Sequence, residues 1–340
     1  MGKIVGFGDF LVRLSPPGYL RFLQANQFDI NYTGAEANVL VSLALMGEKT
    51  EFVTRVPNND IGKTAIRSLG KYGVGTSNVV YGGERLGVFY LEKGASQRPS
   101  KIVYDRKYTS IATAKIEDFD WEKIFSDASW FHITGITPAL SGTMPEVCID
   151  ACRRAREMGL TVSCDLNYRK NMWTTIEAKM TMERILPCVD VLIANEEDAD
   201  KVLNIRAKDT DVVAGKLNRE GYADVAQQII TKYGVKAVAV SLRRSISASD
   251  NEWGAMLFTE KMPHFSRTYP IHIVDRVGGG DSFAAGLIYG MSHGFDAQKT
   301  VEFAAAASCL KQTIEMDFNL SSVEEIMRLM DGDGSGRVQR

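Results

Sequence analysis

Val274-Asp275-Arg276-Val277-Gly278-Gly279-Gly280-Asp281-Ser282-Phe283 is the stretch on which the reading of this chain turns. The apolar run Ile271 to Val274 leads in as a strand would, and the Ala-rich run Ser282 to Met291 leads out as a helix. Three successive glycines at that junction leave backbone N–H groups unshielded where a helix dipole begins, and both features attract an anion. Asp281 follows at once, a carboxylate beside the anion position. One reading is phosphoryl transfer to a hydroxyl, with Asp281 accepting the proton. The other is a glycine turn in which Asp281 caps the first helical turn. These ten residues alone do not separate the two.

The bulk properties narrow the field. A chain of 340 residues buries a sizeable core as one large or two smaller domains. Its 45% apolar and 24% charged content is ordinary for a globular protein, and a net charge of −2 gives no reason to expect nucleic acid or an anionic membrane as partner. Cysteines 148, 152, 164, 188 and 309 form no C-x-x-C pair and lie in apolar stretches, so they read as buried free thiols rather than a zinc site. No apolar run approaches the ~20 residues of a membrane span. The N-terminus reads directly as a strand without a signal-peptide core, and the expected location is the cytoplasm.

Two nucleotide-binding fingerprints fail. Gly6-Phe7-Gly8 begins a dinucleotide motif, but the third glycine would fall at Leu11. Asp60-Ile61-Gly62-Lys63-Thr64 resembles the end of a Walker A loop, but Pro57 stands where its first glycine is required. Residues 10–14 alternate as a half-exposed strand and 28–32 alternate too; 87–92 and 101–104 read as a strand pair separated by a Gly/Ser/Pro connection, and together they predict a small sheet apart from the main one. Thr33-Gly34-Ala35-Glu36-Ala37-Asn38 is a turn that opens an apolar helix, suited either to a polar ligand or to an ordinary helix start. From about Asp118 onward strands alternate with helices, which predicts a doubly wound, mainly parallel α/β sheet covered on both faces. The C-terminal Asp331-Gly332-Asp333-Gly334-Ser335-Gly336 mimics an EF-hand start, but the acid needed later in that loop has no residue to fill it. It reads as a disordered tail.

Open parallel sheets bind ligands beyond the carboxyl ends of their strands. There the sequence places Asp165, Asn167, Tyr168 and Arg169, then Asn195, Glu196, Glu197 and Asp198, then Ser241 and Arg243, and finally Asp275 to Asp281. Any one such group is commonly a cap or a surface residue. Together they suit an anionic substrate with a magnesium nucleotide.

At this point the chain resembles the PfkB, or ribokinase-like, carbohydrate kinases over nearly its whole length. Asp275 to Phe283 is similar to their C-terminal signature, with Gly279 where alanine is usual. Asn195-Glu196-Glu197-Asp198 resembles their Asn-x-x-Glu magnesium motif with Asp198 as the acid. Gly34-Ala35-Glu36-Ala37-Asn38 is similar to the N-terminal sugar-binding stretch and Asn59-Asp60-Ile61-Gly62 to the turn that follows it. Tyr104-Asp105-Arg106, Asn167-Tyr168-Arg169, the 242–251 stretch and Asp317-Phe318-Asn319 are most similar to the 2-keto-3-deoxygluconate kinases of that family.

The resemblance implies one kinase domain over residues 1–331, with a β lid from residues 10–33 and 86–107, and a tail at 332–340. It implies ATP-dependent phosphorylation of 2-keto-3-deoxygluconate at its 6-hydroxyl. Asp281 would be the base, and Gly278, Gly279 and Gly280 the anion hole. Gly34, Ala35, Asn38, Tyr90, Tyr104, Arg106, Asn167, Arg169 and Asp317 would hold the sugar acid. Arginine suits planar carboxylate recognition, which gives Arg106 and Arg169 a physical reason for that role. Asn195, Ser241 and Arg243, with Gly278 and Gly280, would face the nucleotide. Asp198 and Glu197 would position Mg2+, Asp275 would help hold K+, and lids would meet in a homo-oligomer. Other sugar kinases of the same fold, the galactonate epimer, and a non-catalytic sugar- or nucleotide-binding regulator are the alternatives.

Overall fold

The structure, a computed structural model, describes residues 2–206, 219–332 and 334. In chain order its strands and α-helices are β1 (Lys3–Phe7), β2 (Leu11–Ser15), β3 (Asp29–Thr33), α1 (Ala35–Leu45), β4 (Thr50–Val53), β5 (Arg55–Val56), α2 (Asp60–Gly70), β6 (Val80–Tyr81), β7 (Gly87–Glu92) and β8 (Lys101–Asp105). The second half has α3 (Trp121–Phe125), β9 (Ala128–Thr134), α4 (Met144–Glu157), β10 (Thr161–Asp165), α5 (Thr175–Ile185), β11 (Val191–Ala194), α6 (Glu196–Leu203) and α7 (Arg219–Tyr233). It ends with β12 (Ala237–Ser245), β13 (Asp250–Thr259), β14 (Met262–Phe265), β15 (Tyr269–His272), α8 (Gly279–Ser292), α9 (Ala297–Lys311) and α10 (Val323–Met330).

The apolar strands of the main sheet send successive side chains to opposite faces, and each face needs its own cover. Val5, Phe131, Leu192 and Val238 pack with α3 to α7, whereas Ile4, Trp130, Val191 and Ala237 pack with α1, α2 and α8 to α10. Six strands run parallel in the order β4-β1-β9-β10-β11-β12, and β13 closes that end antiparallel to β12, with β14 and β15 both pairing antiparallel to β13. The doubly wound α/β reading is therefore correct. Among the described residues no helix is long and apolar enough to cross a membrane. The five cysteines are free, four of them buried and Cys188 half-buried.

A separate sheet, in the order β3-β2-β7-β8, stands over the carboxyl ends of the parallel strands. Its register makes two rows with different chemistry. Asn31, Arg13, Phe89 and Tyr104 line up across one face; Ile30, Leu14, Tyr90 and Val103 line up across the other. The first row faces the main sheet, because Arg13 there bonds acids of the loop before α8 and of the loop after α9.

Boundaries near the site shifted from expectation. The strand read through Val274 stops at His272, and α8 begins at Gly279 rather than Ser282, so two of the three glycines are helical. The strand-forming run Glu51–Val56 breaks at Thr54, where β5 leaves to pair with β6. Strand β14 carried no signal strong enough to be expected. Tail residues 333 and 335–340 lie outside the described residues.

Candidate active site

A cleft of about 470 Å3 lies between the small sheet and the ends of the parallel strands. Its floor is the turn into α8. Gly278 has φ 83°, a left-handed conformation suited to glycine, and a Cβ there would collide with the Asp317 carbonyl oxygen. Helix α9 anchors this turn from behind. The Gln312 carbonyl accepts from the N–H groups of Val274 (2.9 Å) and Asp275 (3.2 Å), and Ser308 Oγ donates to the Gly279 carbonyl at 2.7 Å. Close approach of the two helices needs small residues, and a Cβ on Gly286 would lie 2.6 Å from Ala304 Cα.

One of the three expected donors is already engaged within the turn. The Gly279 N–H already reaches the Arg276 carbonyl at 3.3 Å, a consequence of the helix starting early. Gly280 is exposed, with nothing within 4 Å of the place a Cβ would occupy, so its edge of the helix opens on the cleft. The first N–H groups of a helix have no carbonyl within that helix to bond.

Asp281 lies in the first turn of α8. Asn38 Nδ2 donates to its Oδ2 at 2.6 Å, and Thr33 Oγ1 donates to Asn38 Oδ1 at 2.8 Å. A helix dipole alone favours the charged form and would make this carboxylate a weak base. Burial instead raises the Asp281 carboxyl to about 6, with Asp317 adding to the rise and Asn38, Arg169 and Lys311 opposing it. That value suits a general base near neutral pH better than an unperturbed aspartate.

The residues expected to hold a sugar acid come from both sheets and the loops beside them. Arg106 Nη2 donates to Asp9 Oδ2 at 2.8 Å, Tyr104 stacks its ring 5.3 Å from the same guanidinium, and Arg106 Nε is buried without a partner. Arg169 lies opposite, exposed, bonding only the neighbouring Tyr168 carbonyl among the hydrogen bonds seen here. Asn167 holds a left-handed turn (φ 39°) with its N–H on Asp165 Oδ1, so its role here is to shape the loop that carries Arg169. Gly34 lies flat against Asp9, whose carbonyl oxygen a Cβ would strike, and Ala35 lines the cleft beside it. Asp317 Oδ2 accepts from Arg13 and Asn31, both at 3.0 Å, while its Oδ1 is buried without a partner. Burial raises its carboxyl.

Tyr90 does not belong to this set. Strand alternation turns it to the outer row, edge-on to Phe28 at 5.9 Å, and Phe89 lines the cleft instead.

Toward the other end, Ser241 and Arg243 on β12 face Arg276 and the glycine turn across the cleft. Burial and the charge of Arg243 both lower Arg276, so the two guanidiniums repel each other until an anion separates them. Asp165 and Asp198 make the opposite pair. Burial, then Asp198 and Asp281, raise Asp165 to about 8, and burial raises Asp198 to about 6. Arg169 opposes both rises, and Mg2+ held through water and phosphate, as that ion prefers, would oppose them further. Among the described residues no three acids, histidines or cysteines stand together as a complete ligand set. Asn195 Oδ1 and Nδ2 are both engaged with Asp198 as a helix cap, at 2.7 and 3.0 Å. Glu197 is exposed and paired with Lys201.

Asp275 does not fit a potassium site. Its Oδ2 is bound by Arg13 at 2.6 Å, its Oδ1 accepts the Val277 N–H, and its carbonyl accepts from Lys311 Nζ at 3.1 Å. Two side-chain cations and a backbone N–H occupy the oxygens a metal would use.

Fold and cleft together define a sugar kinase of the ribokinase-like class. The model of the pfkB family carbohydrate kinases matches residues 1–315, and the chain belongs to that family. It is 53% identical to 2-dehydro-3-deoxygluconokinase from Thermotoga maritima, whose crystal structure superposes with a TM-score of 0.94 over 97% of this chain and 98% of that one. A 2-dehydro-3-deoxygalactonokinase from Haloferax volcanii is 28% identical over 98% of both chains. A 2-dehydro-3-deoxygluconokinase from Bacillus subtilis is 26% identical over 90% of this chain and 88% of its own.

Sequence reasoning missed Asp9, Arg13, Phe89 and Lys311 as groups at the site, and it assigned no role to Asp165 or Arg276. Strand-end position could have found Asp9, two residues beyond β1, as it placed Asp165 at the end of β10. Nothing local marks Arg13 or Lys311, whose partners lie far away along the chain.

Proposed function

We propose that this chain transfers the γ-phosphoryl group of ATP to the 6-hydroxyl of 2-keto-3-deoxygluconate, giving the 6-phosphate and ADP. The observation that carries the reading is that Arg106 and Arg169, from different sheets, flank one cleft whose floor is Asp281. A sugar acid brings a carboxylate for the two arginines and a terminal hydroxyl for the aspartate. Asp281 takes the hydroxyl proton as the new O–P bond forms and the bond to the β–γ bridging oxygen breaks. The N-terminal turn of α8 stabilises the transferring group, while Arg243 and Arg276 hold the nucleotide phosphates. Magnesium, held by Asp165 and Asp198 through water with Glu197 at the rim, would neutralise charge on the phosphates. The small sheet excludes water and so limits ATP hydrolysis.

The relative that acts on the galactonate epimer makes that compound the natural competitor. An ADP-release assay over both epimers, fructose and ribose tests the reading. We expect the gluconate derivative to have the highest kcat/KM. Higher kcat/KM on fructose or ribose would refute the carboxylate assignment, and no turnover of any would favour a binding regulator.

The outer row of the small sheet supports a homo-oligomer. Ile30 and Val103 are 65% and 54% exposed, and Phe28, Leu14 and Tyr90 continue the patch. Sedimentation at micromolar concentration should show a dimer that Ile30→Asp dissociates; a monomeric wild type would refute this packing.

A further inference from the structure

Lys311, the last residue of α9, is 0% exposed. Its Nζ donates to the carbonyl oxygens of Asp275 at 3.1 Å and Ile314 at 3.2 Å. Both carbonyls belong to the segments that bracket the glycine turn, one just before it and one in the loop whose Asp317 carbonyl abuts Gly278. Two carbonyl oxygens converging on one buried positive atom is how a protein holds a monovalent cation, and here the atom is covalently attached. The ammonium sits at the negative end of the α9 dipole, behind the turn that opens α8. A Cβ on Gly278 would lie 3.2 Å from Lys311 Cε, so the side chain touches the turn itself. Arg13 is bonded to the carboxylates of Asp275 and Asp317, leaving Lys311 to hold their loops by the backbone.

A buried ammonium is tolerated only when its surroundings compensate for lost water. Burial lowers the pKa of Lys311 and Arg13 adds to that, while Asp275, Asp317 and Asp281 favour its charge. A leucine would fill the same space without that demand for compensation, so core packing alone gives no reason for lysine.

We propose that Lys311 is a positioning residue that supplies the fixed cation behind the anion turn, so that turnover needs no monovalent metal ion. This rests on the kinase reading of the glycine turn. Removing the side chain leaves carbonyl oxygens facing a space that ammonium or potassium ions then fill.

The full chain is assayed for ADP release with tetramethylammonium as the only monovalent cation, then with potassium or ammonium added at constant ionic strength. Wild-type kcat should not change between the buffers. Lys311→Ala should lose about a hundredfold in kcat with a smaller change in the KM for sugar, and recover at least tenfold with ammonium or potassium. Lys311→Met, which fills the space, should lose as much and not recover. Activation of the wild type by potassium would overturn the proposal, and so would a fully active Lys311→Met. Loss in Lys311→Ala that no cation relieves, with an unchanged melting temperature, would also overturn it. Should Lys311→Ala fail to fold, the wild-type and Lys311→Met arms still decide. Calorimetric ADP binding in the same buffers tests the same claim without any turnover, so failure to find the sugar substrate remains a separate result.

Discussion

At the floor of the cleft the charged groups already have partners inside the protein. Arg13 joins Asp275 and Asp317, Lys311 holds two carbonyls, and Asn38 holds Asp281. Toward the rim Arg106 is held by Asp9, but elsewhere like charges face one another, the acids only tempered by Arg169. Arg243 presses on Arg276, Asp198 presses on Asp165, and Arg169 stands exposed. The difference separates two tasks. Groups that meet developing charge work best when fixed beforehand, since no reorganisation is then needed during reaction. Groups that bind ligands gain from being incomplete, because phosphate, magnesium or a carboxylate relieves the repulsion on arrival.

The comparison breaks first at Asp281. Asp281→Asn should lower kcat by about a hundredfold to ten-thousandfold while nucleotide affinity measured by calorimetry stays close to wild type. Wild-type turnover in that variant would remove the base from the floor. The same carboxylate sets the acid limb of the pH profile. A base must be deprotonated, and burial raises this one to about 6, so kcat/KM should fall as pH drops through about 6. A limb near pH 4 would mean that burial does not govern Asp281.

Rim residues should behave differently. Arg106→Ala and Arg169→Ala should each raise the KM for the sugar acid by about tenfold to a hundredfold and leave that for ATP nearly unchanged. Equal effects on both substrates would move these arginines out of the sugar subsite. Arg106→Ala also leaves the buried Asp9 carboxylate without its partner, so it should lower the melting temperature more than Arg169→Ala does. The smallest effect belongs to Tyr90. On the outer row its hydroxyl is far from the chemistry, and Tyr90→Phe should change kcat/KM by less than about twofold. A larger loss would place it back in the cleft.

Much of this was legible in residue order. Glycines between an apolar run and an Ala-rich run announce a helix start with open N–H groups, whatever surrounds them. Strand-like runs at 87–92 and 101–104 with a Gly/Ser/Pro connection between them announce a strand pair. Tyr90 shows where such reading stops: its residue type suits a sugar site, but the face it occupies depends on strand register. One residue of shift exchanges Phe89 for Tyr90. The helix start at Gly279 was misplaced for a related reason, since Ser308 and Gln312 of a distant element hold that turn.

By itself the amino-acid order determined the α/β alternation, the small separate sheet, the glycine turn and the position of Asp281. Those follow from periodicities and backbone freedoms that act over a few residues. Only the tertiary structure decided that Arg13 and Lys311 are the cations around Asp275, and that burial raises the Asp281 carboxyl to about 6. Burial and long-range charge set those properties. Both depend on atoms brought together from residues 13, 38, 275, 311 and 317, which no local pattern joins.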